Sequence, residues 1–252
     1  MTRNEATTVL ATGGSRGIGA ATCRRLAAQG HAVAVNYTRD AAAAEALVAQ
    51  LRADGGQALA LQADVADAAQ VAGMFLRIDR ELPRLWGLVN NAGVVDRPAR
   101  VDEMDAMRLQ RMFAINVFGS FHCAREALRR MSTTHGGRGG AIVNLSSAAA
   151  RLGAPGQYVD YAAAKGAIDT FTVGLAREVA TEGVRVNAVR PGIIETEIHA
   201  SGGLPDRARQ MAPMVPMQRA GSADEVAQAI VWLLSDAASY TTGAILDVSG
   251  GR

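Results

Sequence analysis

Lysine is almost missing from this chain. Lys and Arg together number 26 in 252 residues, and every one except Lys165 is arginine. Cysteine is scarce too. Cys23 and Cys123 both fall in helix-like stretches, which excludes a disulfide framework and reads as buried structural thiols. The four histidines, at 31, 122, 135 and 199, share no ligand spacing, so no metal site is expected. No apolar run is long enough to span a bilayer. Residues 1–14 lack the apolar core of a secretory leader, so the expectation is a cytoplasmic protein with no membrane partner. A net charge of +2 and the lack of any basic tract argue against nucleic acid as a partner.

What is present is a regular alternation. Short β-type runs at 7–12, 31–36, 58–62, 85–89, 141–145, 184–189 and 244–248 are separated by helical patterns. The predicted helices cover 20–29, 41–53, 67–81, 102–131, about 161–181 and 222–235. Such alternation predicts a parallel sheet of about seven strands with helices on both faces. No repeat or linker interrupts it, so residues 1–252 are expected to form a single doubly wound domain. Residues 193–221 are irregular, with Gly202, Gly203, Pro205, Pro213 and Pro216 among Met211, Met214 and Met217. They read either as a substrate lid or as a packed excursion.

The first predicted strand runs into glycines at 13, 14, 17 and 19, then into a helix. Strand, Gly-rich turn and helix present backbone N–H groups and a helix start to phosphate. In dinucleotide-binding folds a carboxylate near the end of the second strand holds the adenosine ribose. Here that stretch is Asn36, Tyr37, Thr38 and Arg39. No carboxylate in it repels a 2′-phosphate, and Arg39 and Arg16 are placed to pair with one, so NADP(H) is favoured over NAD(H).

The stretch richest in chemistry is 141–169. A predicted buried strand ends at Ser146 and Ser147, a Gly/Pro loop follows, and Tyr161 and Lys165 then share one face of a helix. A cation beside a phenol lowers the phenol's pKa, which suits an acid/base group. Tyr158 has no lysine partner, because Ala162 stands four residues on. In a chain that otherwise uses arginine, the surviving lysine marks a place where a planar fork does not substitute for a point charge.

Together these residues resemble the short-chain dehydrogenase/reductase (SDR) family over essentially the whole chain, notably its NADP-dependent 3-oxoacyl-[acyl-carrier-protein] reductase and glucose dehydrogenase-like members. The resemblance implies a Rossmann fold and four catalytic residues. Tyr161 would give a proton to a carbonyl oxygen or take one from an alcohol. Lys165 would lower its pKa and hold the nicotinamide ribose. Ser147 would bond the substrate oxygen, and Asn116 would hold a water in the proton path. Cofactor contacts are implied at Gly13, Ser15, Arg16, Gly17, Ile18 and Gly19 of the first turn. Others are implied at Asn36, Tyr37, Thr38 and Arg39, at Asp64 and Val65 beside the adenine, and at Asn91, Ala92 and Gly93. The nicotinamide side would be met by Pro191, Gly192, Ile194 and Thr196 with Tyr161 and Lys165. One departure stands out: the family's usual spacing to the tyrosine falls on Ala148, so Ser147 is assigned with one extra residue in the loop.

The implied activity is hydride transfer between NADP(H) and a ketone or secondary alcohol. A broad carbonyl or sugar/polyol-type small molecule is favoured over a 3-oxoacyl thioester on acyl carrier protein, for which Arg97, Arg100, Arg129 and Arg130 would be the docking cations. A non-catalytic dinucleotide-sensing module is the reading from another class, and it has no need of Ser147, Tyr161 and Lys165 together. The resemblance further implies a homotetramer, or a homodimer, which the small residues from Ala162 to Ala167 would allow to pack closely.

Overall fold

The strands are where alternation puts them, and each feeds two cores. In β1 (Thr8–Ala11), Val9 and Ala11 point to one face and Leu10 to the other; in β2 (Ala32–Tyr37), Val33 and Val35 oppose Ala34. That period of two is the pleat itself. The structure is a computed structural model and describes residues 6–198 and 202–252; His199 and residues 1–5 lie outside the described residues.

The chain continues through α1 (Gly17–Ala28), α2 (Ala41–Ala53), β3 (Ala58–Gln62), α3 (Ala68–Glu81) and β4 (Leu85–Asn90). Next come α4 (Ala106–Phe113), α5 (Gly119–Met131), β5 (Gly140–Leu145), α6 (Ala149–Leu152), α7 (Val159–Glu178) and β6 (Val184–Pro191). The last part holds β7 (Ile194–Glu195), α8 (Arg207–Met211), β8 (Gly221–Ser222), α9 (Ala223–Leu234) and β9 (Ile245–Val248). Seven strands form one parallel sheet in the order β3-β2-β1-β4-β5-β6-β9. Helices α1, α2 and α9 cover one face through Leu26, Leu47 and Ile230. Helices α3, α5 and α7 cover the other through Phe75, Met131 and Leu175. This is the single doubly wound Rossmann layer arrangement that the alternation predicts. Fully buried side chains such as Phe75 and Ile78 each contribute roughly 1.5–3 kcal/mol by leaving water.

The chain winds outward from β1 to β3, then returns to the middle at β4. Between β1 and β4 the strand order reverses, and a crevice opens beyond their carboxyl ends. The β1–α1 turn and the turn after β4 face each other there.

Two expectations need correction. The tract 102–131 is not one helix. Asp105 accepts the Arg108 N–H at 2.7 Å and starts α4 afresh. Residues Ala114–Phe118 then form a π-helical turn before α5. Residues 193–221 are also less irregular than their composition predicts. Strands β7 and β8 pair at the base of the excursion, and α8 lies within it.

Candidate active site

At the crevice, Gly13 and Gly17 take left-handed φ values of 57° and 51°, which glycine adopts without a Cβ penalty. Thr12 is the hub of the turn: its Oγ1 accepts the N–H groups of Asn91 (2.9 Å) and Ala92 (3.0 Å). Asn91 Nδ2 returns hydrogen bonds to the carbonyls of Thr12 and Gly13 at 2.8 and 3.0 Å. Helix α1 begins without a side-chain cap, whereas α2, α3 and α9 are capped by Asp40, Asp67 and Ser222. Its first N–H groups and the positive end of its dipole are thus left for an external anion. A dinucleotide pyrophosphate fits that requirement.

The second wall is built from β5 and α7. Ser147 follows β5 and lines the cleft with Tyr161, whose charged form the Ser147 hydroxyl favours. Tyr161 is fixed from behind: its N–H donates to Asp160 Oδ1 at 2.9 Å, and buried Asp160 is clamped by Arg108 at 2.8 Å. Lys165 is 4% exposed, and its Nζ donates to Leu145 O at 2.7 Å. An ammonium has three donors, so a ribose diol fits the remaining capacity. Burial pulls Lys165 down to about 8, opposed by Asp169. The expected lowering of Tyr161 by Lys165 is not what the geometry produces. Nζ stands 5.5 Å from the ring centroid, and burial drives the phenol up to about 12 against the Ser147 hydroxyl. Desolvation of the charged form outweighs the neighbouring cation.

Ser147, Tyr161 and Lys165 share a cleft of about 620 Å³ with Ile18, Asn91, Gly93, Pro191, Gly192, Ile194 and Thr196. Thr196 also leans over Gly17, where a Cβ would meet its Cγ2 at 3.3 Å. Asn116 reaches the same place indirectly: a Cβ on Gly93 would lie 2.8 Å from its Oδ1. Its amide donates to Val94 O and Met112 O, both at 3.0 Å, and Oδ1 accepts the Val94 N–H at 3.2 Å. Both amide hydrogens are therefore spent on the backbone. The Asn116 side chain thus clamps residues 93–94.

The adenosine side is mixed. Arg39 and Thr38 are exposed and Ser15 is half-buried at the turn. Arg16 is not free, because Asp40 lies 3.7 Å away. Asn36 braces the turn: Oδ1 accepts the Gly13 N–H at 3.1 Å and Nδ2 donates to Ala63 O at 3.0 Å. Tyr37 packs partly against the core. Asp64 accepts the Ala66 N–H at 3.0 Å, and the Val65 carbonyl lies 3.0 Å from His122 Nδ1. Val65 is thus a packed wall. The far half of the cleft was only partly legible in the sequence: Met211 and Met214 fall in the stretch read as a lid. Leu152, Tyr158, Arg207, Met211, Met214 and Arg252 line it. No motif marks them, and two of them are arginines among many.

Fold and cleft together define a class: an oxidoreductase that binds a nicotinamide dinucleotide and acts on CH–OH or C=O groups. Comparison with known proteins narrows it. Residues 13–252 match the family model described as enoyl-(acyl carrier protein) reductase, and the chain belongs to the short-chain dehydrogenase/reductase family. It is 55% identical to the uncharacterized oxidoreductase YgfF of Escherichia coli (strain K12) over 96% of this chain and 98% of that one. It is 39% identical to the 3-oxoacyl-[acyl-carrier-protein] reductase of a Synechocystis strain, over 100% and 98%. Identity is 41% to the cis-4-hydroxycyclohexanecarboxylate dehydrogenase of Sinomonas cyclohexanicum, over 95% and 94%. A crystal structure of a short chain dehydrogenase from Burkholderia cenocepacia J2315 in complex with NADP superimposes with a TM-score of 0.87 at 34% identity, covering 99% of each chain. No helix among the described residues is long and apolar enough to cross a membrane.

Proposed function

We propose that the protein is an NADP(H)-preferring reductase of small ketones, or dehydrogenase of the matching secondary alcohols, working in the cytoplasm as a homotetramer. The observation that carries this reading is that Ser147, Tyr161 and buried Lys165 line one cleft, which the uncapped start of α1 adjoins. When bound, the nicotinamide supplies or accepts the hydride. Tyr161 gives its proton to the carbonyl oxygen, or takes one from the alcohol. Ser147 donates a hydrogen bond to the same oxygen. Lys165 holds the ribose and returns positive charge to the phenol's surroundings. Asn116 acts at one remove, by fixing Gly93 and Val94. Arg39 and Arg16 receive the 2′-phosphate, and residues 193–198 and 202–221 cover the substrate.

A broad carbonyl class is the favoured substrate. The wall formed by Leu152, Ala154, Pro155, Met211 and Met214 suits a compact hydrocarbon skeleton. A 3-oxoacyl thioester is the second reading, favoured by the likeness to the Synechocystis reductase. The Sinomonas relative, which acts on a ring alcohol bearing a carboxylate, supports the first.

The test is oxidation of NADPH, with NADH in parallel, over a panel of ketones. The panel holds an acetoacetyl thioester, simple sugars, small diketones, and 4-oxocyclohexanecarboxylate with its methyl ester. Tyr161→Phe is the control. Turnover should fall at least about 10³-fold in the variant, while NADPH fluorescence titration gives an unchanged Kd. A variant that keeps near-normal rates would remove Tyr161 from the chemistry.

A further inference from the structure

The charges lining the cleft all have one sign. Lys165, Arg207 and Arg252 are its charged residues, and no carboxylate among the described residues joins them. Lys165 belongs to the reacting centre. The other two differ from most arginines of this protein. Arg25, Arg77, Arg108, Arg130, Arg190 and Arg219 each meet a carboxylate within 3.0 Å. Even Arg209, two residues on, pairs with Asp206 at 3.1 Å.

Arg207 is held by neutral groups instead. Its Nη2 donates to Gln157 Oε1 at 2.7 Å, and its guanidinium lies over the Tyr158 ring at 5.0 Å. Among the described residues, one of its five N–H donors is used and no carboxylate pairs with it. Tyr158 in turn is buried and sits in the same wall. Arg252 adds a second indication: its Nη1 is buried and has no hydrogen-bond partner. A guanidinium fixed by an amide and an aromatic face, in the same cleft as a second one with an orphaned buried donor, is an arrangement completed by an anion.

We infer that the substrate carries a carboxylate on the same skeleton as its reacting carbonyl, and that Arg207 binds it, with Arg252 as the second cation. This rests on the reductase reading above and names the substrate class of that cleft. The rest of the wall is apolar, with Leu152, Pro155, Met211 and Met214. A hydrocarbon keto acid matches it, whereas a polyhydroxylated sugar would leave hydroxyls facing methyl and methylene groups. Gln157 and Tyr158 are positioning residues for the fork.

The test compares 4-oxocyclohexanecarboxylate with its methyl ester, which keeps shape and loses charge. Wild-type kcat/KM should favour the acid by at least about tenfold, the order expected of a charge-assisted pair. Arg207→Leu should erase that preference by slowing the acid while leaving the ester within about threefold. Arg207→Lys should restore part of it. Wild-type rates that are equal for acid and ester, or equal losses on both in Arg207→Leu, would overturn the inference while leaving the reductase intact. If neither compound is reduced, the reductase reading fails for this class, and calorimetry decides the anion site. Cyclohexanecarboxylate binding at least about tenfold more tightly than cyclohexanecarboxamide, lost in Arg207→Leu, upholds it; equal binding of the two overturns it.

Discussion

Lys165 is held at a cost. Its ordinary pKa is 10.5 and burial pulls it to about 8, so in the unliganded protein the ammonium is less stable folded than unfolded. The sign follows from proton counts. Between about 8 and 10.5 the unfolded chain binds the proton more tightly, so stability rises with pH through that window and the penalty is fully present below it. Tyr161 behaves oppositely. Its pKa rises from 10 to about 12, so its contribution is full below about 10 and is lost as pH climbs towards 12. Lys165→Met should therefore abolish turnover and yet stabilise the unliganded protein at pH 7. After the lost bond to Leu145 O is subtracted, the gain is on the order of 1–2 kcal/mol, a rise of a few degrees in Tm. Melting curves at pH 7 and pH 9.5 check it: the gain should shrink at the higher pH, and a Tm below wild type at pH 7 would refute the buried-charge penalty. The lone lysine was legible in the sequence because every other cation is arginine. Its electrostatics were not, since proximity on a helix says nothing of how much water the fold removes. Arg207 and Arg252 were invisible for the converse reason, being arginines in an arginine-rich chain, brought to the cleft only by tertiary structure.

At the scale of elements, glycines separate scaffold from ordinary helix. A Cβ on Gly19 in α1 would lie 2.4 Å from Gly13 O and 2.9 Å from Gly14 Cα, both backbone atoms. Gly73 in the middle of α3 is exposed, with nothing within 4 Å of its would-be Cβ. One substitution should thus have opposite signs in two helices. Gly73→Ala should stabilise by about 0.5–1 kcal/mol, the usual entropy of a helical glycine. Gly19→Ala should push the β1–α1 turn away from Asn91, lower Tm by several degrees and weaken NADPH at least about tenfold. Denaturant melts and NADPH fluorescence titration read both, and tight NADPH binding by Gly19→Ala would show that the turn need not close this far. The strand and helix positions were legible because period and caps are local. Asp67 and Ser222 cap α3 and α9, and Ser222 and Glu225 close a capping box. The breaks in 102–131 lie where Asp105 caps α4 and where Asn116 sits in the π-helical turn with its amide on Val94 O, a loop residue after a distant strand.

The whole molecule carries a feature that its own core does not explain. Phe118 and Phe121, at the start of α5, are 54% and 48% exposed, and Phe121 stacks on Phe171 of α7 with centroids 3.9 Å apart. Met107 on α4 is 78% exposed. Beside them Ala163 is open, and nothing lies within 4 Å of a Cβ built on Gly166 or Gly174. Exposed aromatics beside a smooth helix form a patch of the kind that folded chains cover with a partner. None of these residues lines the catalytic cleft, so assembly and chemistry are separable by substitution. In a two-fold interface each residue meets its own surroundings twice, so one carboxylate introduced there is placed at both halves of the contact. Phe121→Asp should convert the proposed homotetramer to dimers or monomers in sedimentation velocity, while the folded chain keeps NADPH binding. A variant that still sediments as a tetramer would move the interface elsewhere, towards the exposed Trp232 on α9. A monomeric wild type would end the homotetramer proposal and leave the α5–α7 aromatics unexplained.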